Sequence, residues 1–283
     1  MEPSACNLCG GRAQQFMARL HGRDLLRCGQ CGLRWYHPTP TKAELKDLYA
    51  AQEYVAAEYF TLEDDLQTNH YQHMLQAADT AARRFPGGKV LEIGPGAGHF
   101  LQFCSSRGLQ VEAIEFSQPL AQSIREKFGC VVREDPLEEC GLPDGSFQVV
   151  AAFDLLEHVQ DPAALLREIW RVLAPGGLLF LSTVSTDNLL DRVGALLHRL
   201  GLSAPLAKLH PPYHLYYFNK PTIKRSIEQA DFAIEALVQE NYDSRKATSS
   251  LPARLFLEAV YALHDMSGDK TNFYATCRKQ TRD

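Results

Sequence analysis

The sequence predicts an α/β fold: a mostly parallel sheet with helices on its faces, carrying a small cysteine-bearing module at the N-terminus. Three observations support this. Residues 90–100 read VLEIGPGAGHF, an apolar strand pattern running into a glycine-spaced turn. Further short apolar segments follow, alternating with helical ones, which is the signature of parallel strands joined by crossover helices. Finally, Cys6, Cys9, Cys28 and Cys31 form two C-x-x-C pairs ahead of the first of these strands.

The elements can be justified in order. Val90, Leu91 and Ile93 lead into Gly94, Gly96 and Gly98. Glycines at such a turn let the backbone approach a ligand without a Cβ in the way. The spacing is G-x-G-x-G, with His99 standing where a dinucleotide fingerprint needs its last glycine. Glu92 adds a carboxylate near the strand end. A second short strand, VEAIEFS (111–117), ends in Glu115, roughly 20 residues past the first glycine, where nucleotide folds place a ribose-binding acid. An acid in isolation there also reads as a solvated strand end. VVREDPLEEC (131–140) puts Asp135 after a third strand. FQVVAAFDLLEHVQDP (147–162) is an apolar strand running into Asp154, Glu157 and His158.

Asp161 and Pro162 then supply an N-cap and a first-turn proline for the helix ALLREIWRVL. Ala174 to Gly177 close it, and LLFLSTV (178–184) is the fifth strand. FAIEALVQENY (232–242) and NFYATCRKQ (272–280) read as the sixth and seventh strands, an antiparallel pair at the sheet edge. The intervening segment 251–266 is helical by the spacing of Leu255, Leu257, Val260 and Leu263. It either covers the sheet or forms a homodimer face.

The run from 88 to 184 resembles the cofactor-binding half of class I S-adenosylmethionine (SAM)-dependent methyltransferases. The glycine turn, the acid at 115, LEHV at 156–159 and RVLAPGG at 171–177 stand in the family's order and spacing. The resemblance implies a Rossmann-like seven-stranded sheet with SAM as cofactor. Carried over residue by residue, it places Glu92, Gly94, Gly96, Gly98, Glu115, Phe116, Asp135, Pro136, Phe153, Asp154 and His158 around that cofactor. A hydride-transfer enzyme is the competing reading, and the missing last glycine and the acid at 92 count against it.

The four N-terminal cysteines have the spacing of a four-thiolate zinc site. A module of 1–40 is too small to hold a core without such a staple. Two ligand pairs close the coordination sphere and leave no position for an activated water, so metal hydrolysis is disfavoured. The zinc ribbon serves either as a staple and substrate-side cap or as a reader of RNA or protein. Charge speaks against nucleic acid. Residues 1–40 carry Arg12, Arg19, Arg23, Arg27 and Arg34 against Glu2 and Asp24, while the chain as a whole carries −5. Four thiolates on zinc nearly cancel that local excess, and no basic stripe with interleaved aromatics follows. The start MEPSACNLC has neither a basic segment nor an apolar run, so a reducing cytoplasm is expected, where paired thiols bind metal. No apolar stretch approaches membrane-spanning length.

Residues 41–87 read as a helical linker or cap. Thr41 caps 42–50 with Glu44 at the capping-box position. A tyrosine-rich patch follows at Tyr54, Tyr59 and Phe60. A helix over about 64–85 then carries Leu66, His70, Met74, Ala77, Ala81 and Phe85 on one face, with His70 and Tyr71 near the cofactor or simply packed.

The catalytic domain, 88–283, holds an insertion at about 185–218. Its helix NLLDRVGALLHRLG (188–201) leads to LHPPYHLYYFNK (209–220), the densest aromatic and histidine cluster in the chain. The family resemblance sets a similar segment beside the methyl-transfer site. His214 is the first candidate for a general base, with His210 and Tyr213 behind it. The alternative is that His214 and Tyr217 anchor the loop. His158 stands between cofactor or substrate contact and the pairing of backbone groups at a strand end. Ribbon, linker and insertion together resemble bacterial small-molecule methyltransferases of sugar, surface-polysaccharide and natural-product pathways. The expected reaction is methylation of a small acceptor, a hydroxyl first. An RNA or protein methyltransferase and a non-catalytic SAM-fold scaffold are the alternatives.

Overall fold

The computed structural model describes residues 5–41, 43–45, 68–244 and 250–280. Leu66, the tyrosine patch at 54–60 and most of the expected helix 42–50 lie outside them. Within them, Thr41 and Glu44 form the expected capping box: the Thr41 backbone N–H donates to Glu44 Oε2 at 2.7 Å, and the Glu44 N–H donates to Thr41 Oγ1 at 3.2 Å.

The main sheet has seven strands: β4 (Lys89–Ile93), β5 (Gln110–Ile114), β6 (Val131–Arg133), β7 (Phe147–Ala152), β8 (Leu173–Val184), β10 (Phe232–Glu240) and β11 (Asn272–Lys279). Their order is β10-β11-β8-β7-β4-β5-β6. β4 to β8 run parallel, whereas β11 is antiparallel to β8 and β10 antiparallel to β11. The final strand pair therefore closes the edge as the sequence predicts. The central strands β4, β7 and β8 are covered on both faces, which explains their mostly apolar sequences. On one side the helices α1 (Asn69–Arg84) and α2 (His99–Ser105) bury Met74, Ala77, Ala81, Phe100 and Cys104 against Val90, Val149 and Phe180. α4 (Pro162–Val172) packs Leu166 and Ile169 on the other side.

The chain moves outward from β4 to β5 and, after α3 (Gln118–Phe128), to β6. It then returns to place β7 on the other side of β4. This reversal makes a switch point, with a crevice outside the carboxyl ends of the strands. One boundary differs from expectation. Ala174 to Gly177 do not form a separate loop but belong to β8, which begins at Leu173 directly after α4. The strand accommodates them by a register shift opposite Phe147 and Val149, with Gly176 at φ +72°.

The N-terminal module is a second, four-stranded sheet in the order β1-β2-β3-β9. β1 (Gln14–Leu20), β2 (Arg23–Cys28) and β3 (Arg34–His37) belong to the ribbon. β9 (Tyr216–Tyr217) comes from the far end of the insertion, after α5 (Leu189–Arg199) and α6 (Ala204–Leu209). The ribbon's Leu26, Leu33 and Trp35 share a core with Phe218 and Ile223, the latter on α7 (Lys220–Gln229). The final helix, α8 (Leu251–Ser267), forms where the spacing predicts one; of its spaced residues Val260 is buried, beside His264, while Leu255 and Leu263 are exposed. Among the described residues no helix is long and apolar enough to cross a membrane.

Candidate functional site

The crevice has a cofactor side and an acceptor side. On the first, β4 hands over to α2 through Gly94, Gly96 and Gly98, all at positive φ. A Cβ on Gly98 would meet the Phe128 ring at 2.7 Å, so that glycine serves packing. A Cβ on Gly96 would meet nothing within 4 Å and would point into open space. Glu92 is buried beneath this turn with Oε2 unpartnered. Burial holds its carboxyl well above the usual range, and Glu115 nearby adds to the rise. Glu115 is itself pushed up by burial and held back by N–H groups of Ser117, Gly96 and Phe116; Ser117 N donates to its Oε1 at 2.8 Å.

Phe116 stands exposed beside Glu115, and Asp135, followed by Pro136, is exposed beyond β6. A large aromatic left uncovered next to a buried acid, a glycine turn open to space and an orphaned carboxylate oxygen fit a nucleoside cofactor lying across the carboxyl ends of β4, β5 and β6.

The acceptor side starts where β7 ends. Asp154 adopts φ +47°, and its backbone N–H bonds to Ser182 O and Oγ, while Ser182 Oγ–H donates to Asp154 Oδ1 at 2.5 Å. His70 Nδ1 lies 3.6 Å from Asp154 Oδ2, and its ring stands edge-on to Phe153. This puts the start of α1 over the same corner. Glu157 is fully buried and accepts from Thr183 Oγ1 at 2.8 Å; burial, reinforced by Asp154, pushes it up to about 8.

His158 donates from Nδ1 to Tyr213 O at 3.0 Å and stacks on the Tyr213 ring, with burial pushing it down to about 4. The His214 ring meets that of His158 edge-on at 4.7 Å. Burial, then His158 and His210, hold it well below the ordinary imidazole value, and its Nδ1 has no hydrogen-bond partner.

Three of the four candidate catalytic residues, His158, Tyr213 and His214, are thus brought together. His210 is not. It is buried on the far side of Tyr217, with Nδ1 3.2 Å from Leu206 O and Nε2 3.4 Å from Asp191 Oδ1. Its place corrects the expectation from sequence: a histidine four residues from His214 anchors the strap formed by residues 210–218, because Pro211 and Pro212 turn the chain between them. The residue that sequence reasoning undervalued is Glu157. It precedes His158 directly, and a carboxylate beside the two leucines of the turn after β7 is the available signal.

Among the described residues, two groups could hold a cation. One donor atom from each of Glu157, His158 and His214 lies within 4.8 Å of the others, and so do the sulfurs of Cys6, Cys9, Cys28 and Cys31. The thiol set is the better defined. Each pair sits in a knuckle turn, with Gly10 N donating to Cys6 O and Gly32 N to Cys28 O. Burial disfavours the Cys28 thiolate, but N–H groups of Cys31 and Gln30 overcome it and bring that thiol down to about 7. Four converging thiols without other donors suit a soft, tetrahedral ion.

A doubly wound sheet with an open glycine turn at its switch point defines a nucleotide-type cofactor-binding α/β protein. The chain belongs to the methyltransferase domain family, whose model matches residues 67–237. It is 29% identical over 155 residues to a probable S-adenosylmethionine-dependent methyltransferase of Mycolicibacterium smegmatis, covering 54% of this chain and 55% of that one. It is 35% identical over 106 residues to the ubiquinone biosynthesis O-methyltransferase of Xanthomonas campestris, covering 35% and 44% of the two chains. The corresponding Pseudomonas aeruginosa protein is 36% identical over 110 residues, covering 36% and 46%. The chain thus spans about half the length of the curated relatives it matches.

Among solved structures, the [4+2]-cyclase SpnF superposes with a TM-score of 0.55 at 18% identity, covering 86% of this chain and 98% of that one. An S-adenosylmethionine-dependent methyltransferase from Mesorhizobium loti gives 0.51 at 18% identity, covering 73% and 98%. Those likenesses concern the fold.

Proposed function

We propose that this enzyme methylates a hydroxyl group of a small biosynthetic acceptor, with His214 as the base and the four cysteines holding one structural Zn2+. The observation that carries the reading is the convergence of His214, His158 and Glu157 beside Asp154, at the carboxyl edge of the strands that hold the glycine turn and Glu115. SAM supplies a methyl carbon on a positively charged sulfur.

The protein's part is alignment and proton handling. Gly94 and Gly96 let the backbone close on the cofactor, Glu115 accepts from the ribose hydroxyls, and Phe116 and Asp135 contact the adenine. Glu92 takes its unpartnered oxygen toward the methionine end, and Phe153, Asp154 and His158 lie near the methyl. His214, held neutral by burial, accepts the hydrogen of the acceptor hydroxyl at its free Nδ1. The Glu157 carboxyl, which burial keeps largely protonated near neutral pH, places an oxygen within 4.8 Å of the His214 ring nitrogen. The names of the ubiquinone O-methyltransferases support a small hydroxylated acceptor. Ion pairs of Arg27 and Arg34 with Asp187 support a ribbon turned toward its own insertion rather than toward nucleic acid.

The test is calorimetric titration with S-adenosylhomocysteine, followed by transfer of labelled methyl from SAM to a panel of phenols and nucleotide sugars. His214→Ala is expected to retain S-adenosylhomocysteine affinity and to lose about 100-fold or more in turnover, the range for a lost general base. Unchanged turnover would remove His214 from the chemistry. Absence of binding in the folded wild type would overturn the reading as a whole.

A further inference from the structure

The segment 210–218 is held from two sides. From the catalytic domain, Leu215 N and Tyr216 N both donate to Glu157 O, at 2.6 and 3.1 Å, and His158 Nδ1 donates to Tyr213 O at 3.0 Å. From the ribbon, β3 pairs antiparallel with β9, Arg34 opposite Tyr217 and Trp35 opposite Tyr216. Tyr36 N donates to Leu215 O at 3.0 Å, and Tyr36 Oη–H to His210 O at 2.6 Å. Arg34 is buried and pairs with both Asp187 and Asp191, the second at 2.7 Å; Asp187 also accepts from Asn219 Nδ2 at 2.8 Å. The ribbon therefore clamps the strap at its centre, while Arg34 ties down the chain on both flanks.

The second C-x-x-C knuckle leads directly into this clamp. Cys28 ends β2, Cys31 stands three residues before Arg34, and Cys28 N donates to Leu33 O at 2.8 Å across the turn. Between the two knuckles, Cys6 faces Cys31 at 3.6 Å and Cys9 faces Cys28 at 3.5 Å, and Cys9 Sγ also lies 3.8 Å from Gln30 Oε1. Four thiols packed this closely gain little from one another unless an ion draws them together.

We infer that the ribbon is a positioning element for the acceptor side: Arg34 and Tyr36 hold the strap that carries His214, and occupancy of the four-cysteine site sets the order of that strap without reaching the SAM crevice. This rests on the reading of residues 210–218 as the acceptor wall. The cofactor side has its own supports. Gly94 N donates to Ile114 O and Glu115 N to Arg133 O, and a Cβ on Gly94 or Gly98 would meet Leu155 and Phe128, which belong to the catalytic domain. A positioning role of this kind separates the two halves of the site: loss of the ion frees His214 while S-adenosylhomocysteine still binds.

The experiment is amide hydrogen exchange and S-adenosylhomocysteine titration on the full chain, zinc-loaded, zinc-stripped with a chelator under reducing conditions, and reloaded. Stripping is expected to raise exchange about tenfold or more at 34–37 and 213–218, with 88–115 unchanged; reloading restores it. Tyr36→Phe, which keeps the backbone pairing, is expected to raise exchange of the strap by about fivefold, the worth of one hydrogen bond. Affinity for S-adenosylhomocysteine should change less than about twofold throughout. Unchanged exchange of the strap after stripping would overturn the inference. A rise spread equally over 88–115 would also overturn it, since that is loss of global stability. Failure of S-adenosylhomocysteine to bind even the loaded protein would count instead against the methyltransferase site, and the exchange comparison would still decide the coupling.

Discussion

At the scale of the residue, the site depends on groups that burial has taken out of their ordinary protonation range. Glu157 shows this most clearly. Its folded value of about 8 lies above the 4.5 of a solvated glutamate. The folded protein keeps the proton while the unfolded chain releases it. The stability tied to that proton is complete below pH 4.5 and is lost as pH rises toward 8. Glu157→Gln keeps an oxygen for the Thr183 hydroxyl but cannot ionise. Relative to wild type the variant should gain stability between pH 5 and pH 8, by a few kcal/mol at about 1.4 kcal/mol per unit. Urea unfolding at the two pH values without added divalent cation measures it, and parallel curves would refute it.

Gly96 offers a complementary test. Open space lies where its Cβ would be, so Gly96→Trp, strained by the φ of +53° but free of a clash, should fold with some loss of stability and lose S-adenosylhomocysteine binding. Normal binding would show that the cofactor lies elsewhere.

At the scale of the element, local chemistry and long-range anchoring meet at the start of α4. Asp161 Oδ1 caps the helix by accepting from Ala164 N at 2.8 Å, and also accepts from Asn7 Nδ2 of the ribbon at 2.9 Å. Asp161→Ala removes both and should cost about 1–2 kcal/mol. That corresponds to roughly 2–4 °C in Tm per kcal/mol for a domain of this size. Asp161→Asn, which can still cap, should recover most of the loss in a thermal melt. An equal loss in both variants would mean that charge rather than capping is what matters.

The cap was legible from Asp161–Pro162 alone because capping is settled within four residues. The orientation of α8 was not. Its leucines recur at helical spacing on more than one side, and only packing chose Val260 and His264 for burial.

At the scale of the whole molecule, the ribbon and the insertion form one sheet although about 180 residues separate β3 from β9. That pairing brings the ribbon's Arg27 and Arg34 against acidic residues of the insertion. Arg34 is spent on Asp187 and Asp191, Arg27 lies 3.9 Å from Asp187, and Arg19 lies 3.6 Å from Asp24. It also decides which strap histidine faces the crevice. His210 follows Tyr36 into the ribbon side, and His214 follows His158 into the site.

The sequence by itself determined the parallel strands, the glycine turn, the antiparallel closing pair and the two cysteine knuckles. Each is written in contiguous residues whose periodicity or spacing has one structural solution. Tertiary structure alone decided the two-residue strand at Tyr216–Tyr217, the partners of Arg34 and the meeting of Glu157 with His214. Those contacts join segments far apart in the chain, and a two-residue strand has too little length to show a period. Its partner is selected by the burial and hydrogen bonding available once the main sheet has formed.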